Sequence, residues 1–166
     1  MRLKIKEWLT SRSSSTRQVR NELFFNHATG HTSVLVVRNA WQDNVINPKT
    51  ETLQVFYNDF LGASIGDGQI LIGSTVAGGL HLSQDFDIPD IDEITHKSKA
   101  LGMALDESDE VFMVEAAWMF LYCIKCSAAG ETLVRYDRDF SQFETVPSID
   151  CVLDDWWQMV TAERRD

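Results

Sequence analysis

The run VFMVEAAWMFLYCIKCSAAGETLVRY, residues 111–136, decides the fold class. Val111 through Cys126 is rich in aromatic and β-branched residues and reads as an extended region broken at Glu115. Ser127-Ala128-Ala129-Gly130 is a turn, and Thr132-Leu133-Val134-Arg135-Tyr136 returns as a second strand. Two strands joined this closely are antiparallel. With helical segments on either side of the hairpin, the chain reads as α+β: a mostly antiparallel sheet flanked by helices, in a single domain spanning residues 1–166.

Downstream, Ser148 is placed to cap a helix, and Ile149, Val152, Leu153, Trp156 and Val160 fall on one face of it. Upstream, Pro89-Asp90-Ile91-Asp92-Glu93 opens another helix, with Asp90 as the cap and Ile91, Ile94, Leu101 and Leu105 as its buried stripe. Gly66-Asp67-Gly68 and Gly78-Gly79 mark turns, and Gln69-Ile70-Leu71-Ile72 between them is a short strand. Before the first turn, Asn47 is a candidate cap and Pro48 suits a first helical position. Leu53, Phe56, Tyr57, Phe60 and Leu61 continue at helical spacing until Gly62. Ser33 to Val37 reads as a strand, residues 17–25 as a short helix, and Ser11 to Thr16 as a loop after an opening helical turn.

Charge is unevenly distributed along the chain. Residues 1–84 carry 8 Lys/Arg and 6 Asp/Glu, net +2, whereas residues 85–166 carry 7 and 19, net −12, which gives the overall −10. Such a surface repels nucleic acid and anionic membrane and attracts basic partners. The longest apolar run, Ala116 to Ile124, has 9 residues, well short of the ~20 that a spanning helix needs. The start, Met1 to Leu9, mixes charges into its apolar residues and has no leader-like apolar core. A cytoplasmic location is the expectation.

The motifs that suggest chemistry each have a plainer reading. Cys123-Ile124-Lys125-Cys126 has redox or zinc spacing, but it falls on a strand, where residues three apart face opposite sides. Cys151 reads as a packing residue, and three cysteines cannot complete a disulfide framework. His27 and His31 are four apart, in a Gly- and Thr-containing stretch that reads as a loop rather than a helical metal face. Gly62-Ala63-Ser64-Ile65-Gly66 matches a nucleophile elbow in letters but follows a helix and precedes a strand, the reverse of that motif's order. No catalytic group, cofactor or metal ligand set is expected.

The segment Phe56-Tyr57-Asn58-Asp59-Phe60-Leu61-Gly62 through Gly66-Asp67-Gly68-Gln69-Ile70-Leu71-Ile72 resembles the hallmark of the SUKH superfamily: an aromatic helix, a glycine exit and a glycine turn into a strand. The likeness extends over roughly residues 45–160 and takes in Trp118-Met119-Phe120 as a central strand, Arg135-Tyr136-Asp137-Arg138 closing the hairpin, and the terminal helix through Trp156-Trp157. Asn47-Pro48 stands where a Leu-Pro-x-x-Tyr-like entry is usual, and residues 1–40 form an N-terminal extension that matches nothing in the family pattern. The resemblance implies a non-catalytic binding protein. Bacterial members are similar to immunity proteins that neutralise polymorphic nuclease- or deaminase-type toxins, and fungal members to regulatory scaffolds of cell-wall synthesis. The acidic second half suits the first role, because toxins acting on nucleic acid carry basic grooves. The expected contact residues are Asp137, Asp139, Asp154 and Asp155 with Trp157, which lies off the buried face of its helix; the expected partner is a basic protein toxin domain.

Overall fold

The structure, a computed structural model, describes residues 1–39, 44–115, 118–137 and 143–163. Helix α1 (Ile5–Arg12) buries Ile5, Trp8 and Leu9, the i, i+3, i+4 positions of one face. It leads directly into β1 (Ser13–Val19), which pairs with β2 (Glu22–His27). Residues 17–25 are therefore a hairpin and not a helix, and the serine-rich stretch after Arg12 is an edge strand and not a loop. The reason lies in Phe24 and Phe25: adjacent residues on a strand face opposite ways, and each enters a different hydrophobic cluster. Arg20, at φ 55°, supplies the left-handed turn between the strands.

Strand β3 (Thr32–Val37) forms as its β-branched run requires. Helix α2 (Glu51–Asp59) starts later than Asn47-Pro48 suggests. Thr50 is its cap, accepting from the Leu53 amide, and Glu131, far along the chain, accepts from the Glu51 and Thr52 amides at 2.6 and 3.0 Å. The helix also ends earlier: Phe60 is extended and opens β4 (Phe60–Ile65). Strand β5 (Ile70–Ile72) follows the glycine turn, and β6 (Leu80–Leu82) and β7 (Phe86–Ile88) make a small separate hairpin.

Helix α3 (Ile91–Ala100) is capped by Asp90, which accepts from Glu93 at 2.7 Å. It buries Ile91 and Ile94; Leu101 has left the helix and is exposed. The long extended region resolves into β8 (Glu110–Glu115) and β9 (Phe120–Ser127), with Trp118 and Met119 in a turn rather than a central strand. Strand β10 (Gly130–Asp137) completes the expected hairpin, and β11 (Phe143–Thr145) lies beyond it. Helix α4 (Ile149–Ala162) is capped by Ser148 and buries all five residues of its apolar stripe.

Among the described residues nine strands form one antiparallel sheet in the order β1-β2-β3-β4-β5-β8-β9-β10-β11. The α+β expectation holds. Helices α1, α2 and α4 contribute Trp8, Leu53, Tyr57 and Trp156 to a cluster on one face, which also takes in Leu35, Ile70, Tyr122 and Ile124. On the other face, α3 covers Val111, Leu121, Cys123 and Val134, and the β6–β7 hairpin covers Phe24, Val34 and Val36. Each large apolar side chain buried in these layers contributes about 1.5–3 kcal/mol before entropy is counted. The N-terminal extension is integral to this arrangement, since three of the nine strands lie within it.

Candidate partner-binding surface

The order of strands across the sheet is the order along the chain, skipping only the small hairpin. The mildly basic first half of the sequence therefore builds the β1–β5 side. Most of the acidic second half builds the β8–β11 side, with α3 against one face and the first turns of α4 against the other; β7 and the rest of α4 lie over the β1–β5 side. A charge imbalance along the sequence becomes a charge imbalance across the molecule.

Strand register then sorts the carboxylates of that side to the two ends of the strands. At one end, Glu115 and Asp137 both stand opposite Phe120. Here a cleft of about 180 Å³ opens between β9, β10 and the start of α4, lined by Glu115, Tyr122, Arg135, Glu144, Cys151 and Asp155 among others. The Tyr122 hydroxyl donates to Glu115, and Arg135 pairs with Glu144 while its guanidinium lies 4.9 Å from the Phe120 ring centre. Burial, reinforced by Glu115, pushes the Tyr122 phenol well above its ordinary range. Among the described residues three carboxylates thus face one guanidinium, and this lining is net negative.

At the opposite strand end, the acids are mostly occupied within the fold. Asp109 is buried against Lys125. Glu110 is buried and accepts from the Lys49 amide at 2.9 Å; burial raises its pKa and this hydrogen bond opposes the rise. Glu131 caps α2; partial burial works against its ionised form, but the hydrogen bonds from Thr52 and Glu51 outweigh that and hold its carboxyl below the usual range. Asp92, Glu93, Asp106 and Glu107 remain exposed. Sequence reading overlooked these four, although a net charge counted per segment would have found them.

The five residues expected to make contacts are not equivalent. Asp155 is exposed on the wall of the negative cleft. Asp137 is half-buried at the end of β10. Asp139 lies outside the described residues. Asp154 works inside the fold: one oxygen, Oδ1, accepts from Trp8 Nε1 at 2.8 Å and from Arg12 at 2.6 Å, tying α1 to α4. Trp157 is half-buried, with its ring centre 6.1 Å from Trp8 and 5.4 Å from His27.

The strand geometry separates the C-x-x-C thiols as expected: Cys123 is buried among the α3-side apolar residues, whereas Cys126 is exposed. Burial, together with the nearby Asp109 charge, pushes the Cys123 thiol up to about 12, far from a reactive thiolate. His27 is buried at the end of β2, with Nε2 2.8 Å from Ser33 Oγ and Nδ1 3.1 Å from the Arg12 carbonyl, so both ring nitrogens are engaged. His31 Nδ1 lies 3.1 Å from Thr29 Oγ1. Ser64 is buried within β4. No helix among the described residues is long and apolar enough to cross a membrane. Comparison with protein-family models, with curated proteins and with solved structures gives no match.

Proposed function

We propose that this chain is a non-catalytic binding protein of the SUKH immunity type, which neutralises a nuclease- or deaminase-type toxin by docking its β8–β11 side onto a basic surface of that toxin. One observation carries this reading: the sheet keeps chain order, so the carboxylates of α3, β8–β11 and the first turns of α4 lie on one side of the molecule, whereas Asp85 and Asp87 on the β6–β7 hairpin and Asp154, tied to α1, lie away from it. A negative surface of this kind steers a positively charged partner into encounter and fixes its orientation. The cleft of Glu115, Glu144 and Asp155 supplies a concave acceptor for a lysine or arginine side chain from the partner; Glu144 and Asp155 are its exposed carboxylates, and Glu144 is already paired with Arg135. The sequestered Cys123 thiol and the fully engaged ring of His27 are consistent with a molecule that makes and breaks no bonds.

The test is co-expression of this chain with the protein encoded beside it. Rescue of growth, together with a co-purified complex that weakens as salt is raised, is the expected result. Failure to rescue or co-purify contradicts the immunity reading. Capture of housekeeping proteins alone favours the regulatory-scaffold role instead.

A further inference from the structure

A second cleft lies on the opposite, mildly basic side of the molecule, between α1, α2 and the chain leaving β3. Its volume is about 380 Å³, within the range of about 300–1,000 Å³ typical of small-molecule sites. Three cationic side chains reach it from separate places: Arg2 from the segment before α1, Lys6 from α1, and Arg38 from the residue after β3. Among the described residues the carboxylates nearby are Glu7 and Asp59, so the charged lining they share with the three cations is net positive in a chain whose overall charge is −10. Among the described residues none of the three cations pairs with a carboxylate.

Arg38 adds an independent sign. Its backbone amide is fixed to the Asp59 carbonyl at 2.9 Å, but its side-chain Nε is buried and donates to no acceptor among the described residues. A buried guanidinium N–H without an acceptor is costly, and an oxyanion in the cleft relieves that cost while meeting the fork geometry of the guanidinium. Apart from Asn58, the remaining wall is apolar, with Val55 exposed and the half-buried Phe60 ring 5.4 Å from Phe56.

We propose that this cleft binds a small organic phosphate, with its phosphate held by Arg2, Lys6 and Arg38 and its apolar body laid against Val55 and Phe60. A tetrahedral dianion presents three oxygens and two negative charges to cations arriving from separate places, whereas a carboxylate presents two coplanar oxygens and a single charge. The site does not depend on the partner-binding reading, since it uses neither the same side of the sheet nor the same charges.

The experiment is an amide chemical-shift titration of the labelled full chain with phenyl phosphate, inorganic phosphate and benzoate. Phenyl phosphate is expected to produce saturable shifts at Arg2, Lys6, Arg38 and Phe60, with inorganic phosphate competing and benzoate weaker. Lys6→Gln and Arg38→Gln are each expected to raise the dissociation constant about tenfold, the scale of one charged hydrogen bond. Arg38→Lys keeps the charge but not the Nε donor, and it is expected to weaken binding as well. Thermal unfolding checks that each variant folds, and the exposed Arg2→Gln serves if Arg38→Gln does not. Absence of saturable shifts, equal binding of benzoate, or undiminished binding by Lys6→Gln and Arg2→Gln overturns the proposal.

Discussion

Gly66 and Trp156 show how tightly single residues are specified. Gly66 has φ 62°, and a Cβ built there would lie 2.1 Å from Trp156 Cζ2. Trp156 is held in place by its Nε1–H, which donates to Gln69 Oε1 at 2.6 Å. Gly66→Ala therefore combines an unfavourable backbone conformation with overpacking, and it is expected to cost about 2–3 kcal/mol. Urea denaturation reads this as a lower midpoint with an unchanged slope. The sequence identified the glycine turn and the buried tryptophan separately. Their contact was not legible, because it joins two elements that only the tertiary fold brings together.

His27 makes a prediction about pH at the same scale. Burial lowers its pKa below 6.5, although the hydrogen bond to the Arg12 carbonyl partly offsets this. The unfolded chain then binds more protons than the folded one between the depressed folded value and 6.5, so stability falls as pH drops below 6.5. His81, exposed and raised by its hydrogen bond to Asp87 and by that residue's charge, acts in the opposite sense and above 6.5, so the two windows do not overlap. His27→Gln is expected to flatten the decline in melting temperature below pH 6.5, and an unchanged decline would place its origin elsewhere.

At the scale of elements, the caps are the most informative features. Asp90 serves two amides: Oδ1 accepts from Glu93 at 2.7 Å and Oδ2 from Gly78 at 2.7 Å. Asp90→Ala thus frees the start of α3 and the turn before β6 together, and it is expected to cost about 2 kcal/mol, against about 1 kcal/mol for Ser148→Ala at α4. Equal losses in calorimetry would mean that the Gly78 bond contributes nothing. Glu131→Ala tests the long-range cap of α2, with an expected loss of about 1 kcal/mol at neutral pH. Because the folded carboxyl of Glu131 is depressed, its contribution is present above about 4.5 and is lost as pH falls below that value.

Legibility at this scale followed the strength of local signals. Helices α3 and α4 were visible because a capping side chain and an apolar stripe agree within each segment. The end of α2 was misread because Phe60 and Leu61 fit the helical spacing, although the chain turns extended there to place Leu61 on the far face of the sheet. The β1–β2 hairpin was missed because β1 is polar up to its last residue, Val19, with six of its seven residues exposed, and so shows no alternation. An outer strand exposed in this way is recognisable only by what it pairs with. Of the candidate contact residues, the position of Asp155 was legible from its helix, whereas the engagement of Asp154 by Trp8 and Arg12 was not.

At the scale of the whole molecule, topology converts sequence order into spatial order. A sheet with interleaved strands would mix early and late segments and average out their charges. This meander keeps them apart, so acidity in the second half of the chain becomes a directional property that long-range electrostatics can use. The direct measurement is the association rate with the protein encoded alongside, followed by stopped flow across a range of salt concentrations for the native chain, Asp155→Lys, and Arg17→Glu on the opposite sheet edge. The expected result is a rate that falls steeply with salt, is several-fold slower for Asp155→Lys and is not slowed by Arg17→Glu. A rate insensitive to salt, or one slowed by Arg17→Glu and not by Asp155→Lys, would contradict the account.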